Sequence, residues 1–75
     1  MKIEILGSGC AKCKKLYENT LEAVKAAGID AEVVKVEDMQ MIASKGVMRT
    51  PAIVVDGKVK TTGVLLTPED IQKIL

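Results

Sequence analysis

Histidine, tryptophan and phenylalanine are absent from this chain, and Tyr17 is its one aromatic residue. Stacking platforms for nucleic-acid bases need several aromatics, so that route is nearly closed. A zinc site usually takes four ligands, and without histidine it would have to draw on two cysteines plus carboxylates or a second subunit. No stretch approaches the ~20 apolar residues of a membrane span. The opening Met1-Lys2-Ile3-Glu4-Ile5-Leu6 is too short an apolar run for a secretory leader and carries Glu4. A strong excess of either charge is also missing, with 11 Lys+Arg against 10 Asp+Glu and a formal net charge of +1. Lys12, Lys14 and Lys15 cluster, but no basic stripe extends from them. These absences predict a cytoplasmic protein with no nucleic-acid and no membrane partner.

What remains is a short, well-patterned chain. Its 75 residues predict a single domain over 1–75, near the lower limit for a self-standing core, and a monomer is expected. The two cysteines, Cys10 and Cys13, are too close to staple a fold. Regular packing must supply the stability, and a hydrophobic content of 48% permits it.

The pattern reads β-α-β-α-β-β-α. Residues 2–6 form a short strand that Gly7-Ser8-Gly9 breaks. A helix follows from about Cys10 to Ala27, with Cys13, Leu16, Tyr17, Thr20, Leu21, Val24 and Ala27 on one side. Gly28 suits its end. Residues 31–36 are rich in β-branched side chains and predict a second strand. Asp38 is a candidate N-cap for a short helix carrying Met39, Ile42 and Ala43, which Gly46 ends.

Residues 52–55 and 58–61 flank Asp56-Gly57, a dipeptide suited to a two-residue type I′ hairpin turn. At the last helix Thr67 can cap, Pro68 takes the first position, and Asp70 occupies the return position of a capping box. Leu66 and Ile71 make a hydrophobic staple. A strand, a helix and a second strand predict a right-handed parallel crossover. With the hairpin, the expected architecture is α/β, a mixed four-stranded sheet flanked by helices.

Cys10-Ala11-Lys12-Cys13 lies where the first strand hands over to the first helix. The thiolate is the nucleophile in disulfide exchange, and unpaired N–H groups at a helix start favour it. Cys10 is therefore the expected nucleophile, with a lowered pKa. Cys13, three residues on and on the apolar side, is the expected resolving cysteine. It would attack the Cys10 sulfur of a mixed disulfide and release the reduced partner. Gly7 and Gly9 remove side chains beside Cys10 and let another backbone approach it. A purely structural disulfide would close a tiny loop, and the cytosol would tend to reduce it. Metal binding stays open, because copper(I) accepts two thiolates.

A Cys-x-x-Cys at a helix start, then Thr50-Pro51 leading into Ala52-Ile53-Val54-Val55-Asp56-Gly57-Lys58, resembles the thioredoxin superfamily. The compact form with Gly7-Ser8-Gly9-Cys10-Ala11-Lys12-Cys13 is most similar to its small archaeal and bacterial redox-active disulfide proteins. The resemblance covers the whole chain. It implies a thioredoxin-like fold and a thiol–disulfide oxidoreductase that reduces protein disulfides. No cofactor beyond the redox-active disulfide is implied. Pro51 matches the family's cis-proline facing the cysteine pair, and Thr50 would pair its backbone with an extended substrate strand. Gly63 matches a glycine that leaves room near the site, and Gly9 joins these as a substrate-contacting residue. Glu4, six residues before Cys10, matches a buried acid that relays the proton of the resolving thiol.

The chain departs from thioredoxins proper in having Gly9 before the pair and Ala11-Lys12 within it, and no glutathione site is recognisable. The implied electron donor is a thioredoxin reductase or another thiol reductant. Two alternatives stand beside the enzyme. One is a small ferredoxin-like copper or zinc carrier, which would end in a strand where this chain reads as a helix. The other is a redox-sensing module that binds without turning over.

Overall fold

The computed structural model describes residues 1–8 and 11–75. Gly9 and Cys10 lie outside the described residues. The elements run β1 (Lys2–Leu6), α1 (Ala11–Ala27), β2 (Glu32–Val36), α2 (Met39–Ser44), β3 (Ala52–Val55), β4 (Lys58–Thr62) and α3 (Pro68–Ile74). The strands form one sheet in the order β2-β1-β3-β4. β1 pairs parallel with β2 and antiparallel with β3, and β3 pairs antiparallel with β4. This is the mixed, thioredoxin-like α/β sheet the sequence predicts.

Alternation along the central strands produces two buried faces. Ile3 and Ile5 of β1 meet Ile53 and Val55 of β3, and this face takes Leu16 and Ala23 of α1 and Ile71 of α3. On the other face Leu6, Ala52 and Val54 pack with Val36, Ile42 and Val47 beneath α2. The sheet is thus covered by α1 and α3 on one side and by α2 on the other.

Local chemistry sets the element ends. Asp38 caps α2, its carboxylate accepting from Gln40 N–H at 2.8 Å and Met41 N–H at 3.4 Å. Thr67 caps α3, its hydroxyl accepting from Asp70 N–H at 3.2 Å. The Asp70 carboxylate pairs with Lys73 Nζ at 3.7 Å, so the return arm of the predicted capping box goes to an ion pair. Leu66 packs on the core cluster that holds Ile71, as a staple requires. Asp56 and Gly57 both have positive φ, 49° and 84°, the signature of the type I′ turn. Asp56 also ties the hairpin to β1: its N–H donates to Lys2 C=O, and its carboxylate accepts from Lys2 N–H, both at 2.8 Å.

Details of β4 and of the inner face of α1 differ from the sequence reading. The β3–β4 register slips between Ile53 and Val54, so Lys60 is the extra residue of a bulge and β4 extends to Thr62. On α1, Leu21 is 43% exposed, while Asn19 and Ala23 are buried. Ala27 is also exposed. The face of α1 that meets the sheet and α3 is Cys13, Leu16, Thr20 and Ala23, with Asn19 at its margin. Asn19 is tolerated there because its amide donates to Leu66 C=O at 2.9 Å.

Candidate active site

The ends of β1, β2 and β3 meet the start of α1 at one edge of the molecule. Gly7 leaves β1 there and donates its N–H to Val36 C=O at 3.0 Å. Cys13 sits in the first turn of α1, is 6% exposed and is disulfide-bonded. Cys10, the chain's other cysteine, lies outside the described residues.

Gly7 and Cys13 are in direct opposition. A Cβ on Gly7 would collide with Cys13 Sγ and stand 2.9 Å from Cys13 Cβ. Real Cβ atoms do not approach so closely, so the absence of a side chain at Gly7 is what lets this sulfur seat against β1. The sequence reading assigned Gly7 to access at Cys10, whereas among the described residues its contact is with Cys13. The same Cβ would lie 3.7 Å from Thr50 Cβ. Thr50 therefore belongs to this edge as well.

Thr50 is exposed and Pro51 buried, and the peptide bond between them is cis. Pro51 C=O accepts from Gly63 N–H at 2.8 Å, which stitches the cis-proline loop to the end of β4. Gly63 has φ +69°, a conformation that favours glycine. A Cβ on it would stand 3.1 Å from Arg49 Cβ and 3.3 Å from Arg49 Cδ. The room that Gly63 leaves is occupied by the stem of Arg49. The structure thus gathers Cys13, Thr50 and Pro51, with Gly63 one contact further out.

Glu4 is buried, at 9% exposure. It shares its side of β1 with Leu6 and so faces α2, whereas Gly7 shares the opposite side with Ile3 and Ile5. Its Oε2 lies 3.5 Å from Lys45 Nζ, at the C-cap of α2. An opposite charge offsets part of the cost of burying this carboxylate. The sequence reading did not foresee Lys45 as its partner, because the contact depends on where α2 docks.

A cleft of about 130 Å³ opens on the α1 side of the edge, lined by Ile5, Gly7, Cys13, Lys14, Lys35 and Glu37. That volume is several waters' worth, so solvent reaches the wall that Cys13 helps form. Lys35 is positioned by Tyr17, its Nζ 4.5 Å from the ring centroid. Among the described residues no group of three or more His, Cys, Asp or Glu could hold a metal ion, and no helix is long and apolar enough to cross a membrane.

The sequence matches a known family over its whole length. The thioredoxin-domain family matches residues 1–75. A curated thioredoxin of Methanothermobacter thermautotrophicus is 47% identical over 75 residues, covering 100% of this chain and 97% of its own length. A curated thioredoxin of Methanocaldococcus jannaschii is 42% identical over 73 residues, covering 97% of this chain and 84% of its own. With its sheet order, its cis-proline loop and its disulfide-bonded cysteine at one edge, the chain belongs to the thioredoxin-domain family and is a thioredoxin-like redox protein.

Proposed function

We propose that this chain is a thiol–disulfide oxidoreductase that exchanges a Cys10–Cys13 dithiol with the disulfides of partner proteins. The observation that carries the reading is Cys13 itself, disulfide-bonded and seated against Gly7 beside Thr50 and cis-Pro51. A buried sulfur at the base of an exposed edge suits the resolving role. It is sheltered from outside disulfides and lies three residues from Cys10 in the sequence.

In this reading the reduced chain starts with the Cys10 thiolate attacking one sulfur of the partner's disulfide. A Cys10–partner bond forms, the partner's S–S bond breaks, and the other partner sulfur leaves as a thiolate and takes a proton. Cys13 loses its proton and attacks Cys10 Sγ. The Cys10–Cys13 bond forms, the mixed disulfide breaks, and the second partner sulfur leaves as a thiol. The partner gains two electrons and the chain loses two. A thioredoxin reductase or another thiol reductant restores the dithiol. Thr50, exposed next to Pro51, offers its backbone to the partner's extended segment, with Gly63 bordering the approach.

Glu4 takes the proton of Cys13 in this scheme. It is buried, as a relay requires, but it pairs with Lys45, which favours its ionised form, and it faces α2. Water at the end of β1 must therefore carry the proton between the two sides of the strand. The test of the whole reading is a Cys13→Ser chain mixed with a disulfide-bonded protein. It should accumulate a covalent Cys10 adduct visible by mass spectrometry, while the unaltered chain releases reduced partner. Release of reduced partner at equal rates by both chains would remove the resolving role of Cys13.

A ferredoxin-like metal carrier is disfavoured by the sheet, whose order is β2-β1-β3-β4 with β1 parallel to β2 and antiparallel to β3.

A further inference from the structure

Arg49 has a position that the exchange chemistry does not use. It is exposed and immediately precedes Thr50 and cis-Pro51. Its stem runs across Gly63, where even a methyl group would stand 3.1 Å from its Cβ and 3.3 Å from its Cδ. Gly63 in turn is hydrogen-bonded to Pro51 at 2.8 Å. A long side chain normally loses much rotamer freedom when it binds. Here the stem is already laid down, so part of that loss precedes binding. Among the described residues Arg49 makes no ion pair, unlike Lys45 and Lys73.

The surroundings fit one kind of partner. Met48 is 96% exposed on one side of Arg49, and Val64 and Leu65 are 48% and 40% exposed just beyond Gly63. The first turn of α1 holds no acidic residue. Lys12 and Lys15 are exposed there, and Lys14 and Lys35 line the cleft at Cys13. Glu37 is the one acidic residue lining that cleft. The cysteine edge is therefore cationic although the whole chain carries a formal net charge of only +1. Apolar side chains around a fixed cation suit an extended peptide with apolar residues and a carboxylate near its cysteine.

We infer that Arg49, braced on Gly63, is a specificity-determining residue that selects partner segments carrying an acidic side chain within a residue or two of the reacting disulfide. The inference rests on the disulfide-exchange reading and names its substrate class. Arg49 takes no part in bond making. It raises the encounter rate and fixes the register of the segment on Thr50.

The test uses two disulfide-bonded peptides that differ only in having Glu or Lys on both sides of the reacting cysteine. Both are offered to the reduced chain, and the ratio of their second-order rates is read. At low salt the Glu peptide should react about two- to fivefold faster than the charge effect of the remaining lysines alone allows, an advantage that salt compresses. R49K should keep the ratio, R49Q should lower it, and R49E should lower it further. A ratio that is the same in R49Q, R49E and the unaltered chain overturns the inference while leaving disulfide exchange standing. An unaltered chain that reduces neither peptide overturns the exchange reading and this inference with it. A general loss of activity in a variant moves both rates together and leaves the ratio unmoved.

Discussion

The two faces of the sheet are built for different work. Beneath α1 and α3 the core is apolar from Ile3 and Ile5 through Leu16 and Ala23 to Ile53, Val55 and Ile71. The two buried polar side chains of α1, Thr20 and Asn19, are uncharged and donate to the Leu16 and Leu66 C=O groups. Beneath α2 the apolar set is smaller, and a charged side chain, Glu4, is buried beside it with Lys45. The first face holds α1 rigidly in place and so fixes where Cys13 emerges. The second carries a carboxylate that stability alone would not favour, since burying a charge costs free energy even when it is paired. A domain this small has little stability to spare, which makes the placement of one charge in its interior informative.

Leu16→Ala attacks the first face where it is fully buried, and it should have the largest effect on stability. A loss of about 2–5 kcal/mol is expected from the removed methyl groups and the cavity left behind. Urea denaturation measures it, and a loss under 1 kcal/mol would mean that α1 is held by something other than this packing. Gly7→Ala tests the edge where that face meets the cysteine. The new methyl must displace Cys13 Sγ or bend β1, at about 1–3 kcal/mol. Disulfide exchange should slow as well, because the sulfur is the group that moves. A chain of unchanged stability and exchange rate would show that Gly7 does not seat Cys13.

Glu4→Gln probes the second face with almost no change of shape. Because Lys45 is itself partly exposed, the cost to stability should stay below about 1 kcal/mol. The sharper reading is the rate of partner release across pH, which should lose part of its pH dependence when the carboxylate is gone. Exchange rates that match the unaltered chain at every pH would leave Glu4 as a charge pair only.

Much of this was legible in the chain because it is written in local chemistry. Asp56-Gly57 demands positive φ at two successive residues, and both have it. Asp38 and Thr67 cap the helices they precede. The parallel crossover followed from one strand, one helix and a second strand. The features that escaped need long-range contacts to exist. The bulge at Lys60 depends on how β4 settles against β3. Helical periodicity placed Leu21 inward, but the face that α1 presents to the sheet and α3 is narrower than its apolar stripe, and Asn19 is buried because Leu66 C=O is there to receive it.

At the site, the residue types were legible and their pairings were not. Pro51 could be matched to a cis-proline by family resemblance. The opposition of Gly7 and Cys13 depends on how closely α1 docks against β1. The partnership of Glu4 with Lys45 and the stem of Arg49 across Gly63 join segments far apart in sequence. No spacing rule reaches across such gaps.

The central claim, a reversible two-electron pair at Cys10 and Cys13, is tested most directly by equilibrating the chain in dithiothreitol buffers of graded potential. Thiols are then alkylated and counted by mass. The account predicts a single transition in which both thiols appear together, with a midpoint between about −300 and −150 mV. A pair that stays reduced at every potential, or that oxidises only between molecules, would contradict it and turn attention to copper(I) and zinc binding by the same thiolates.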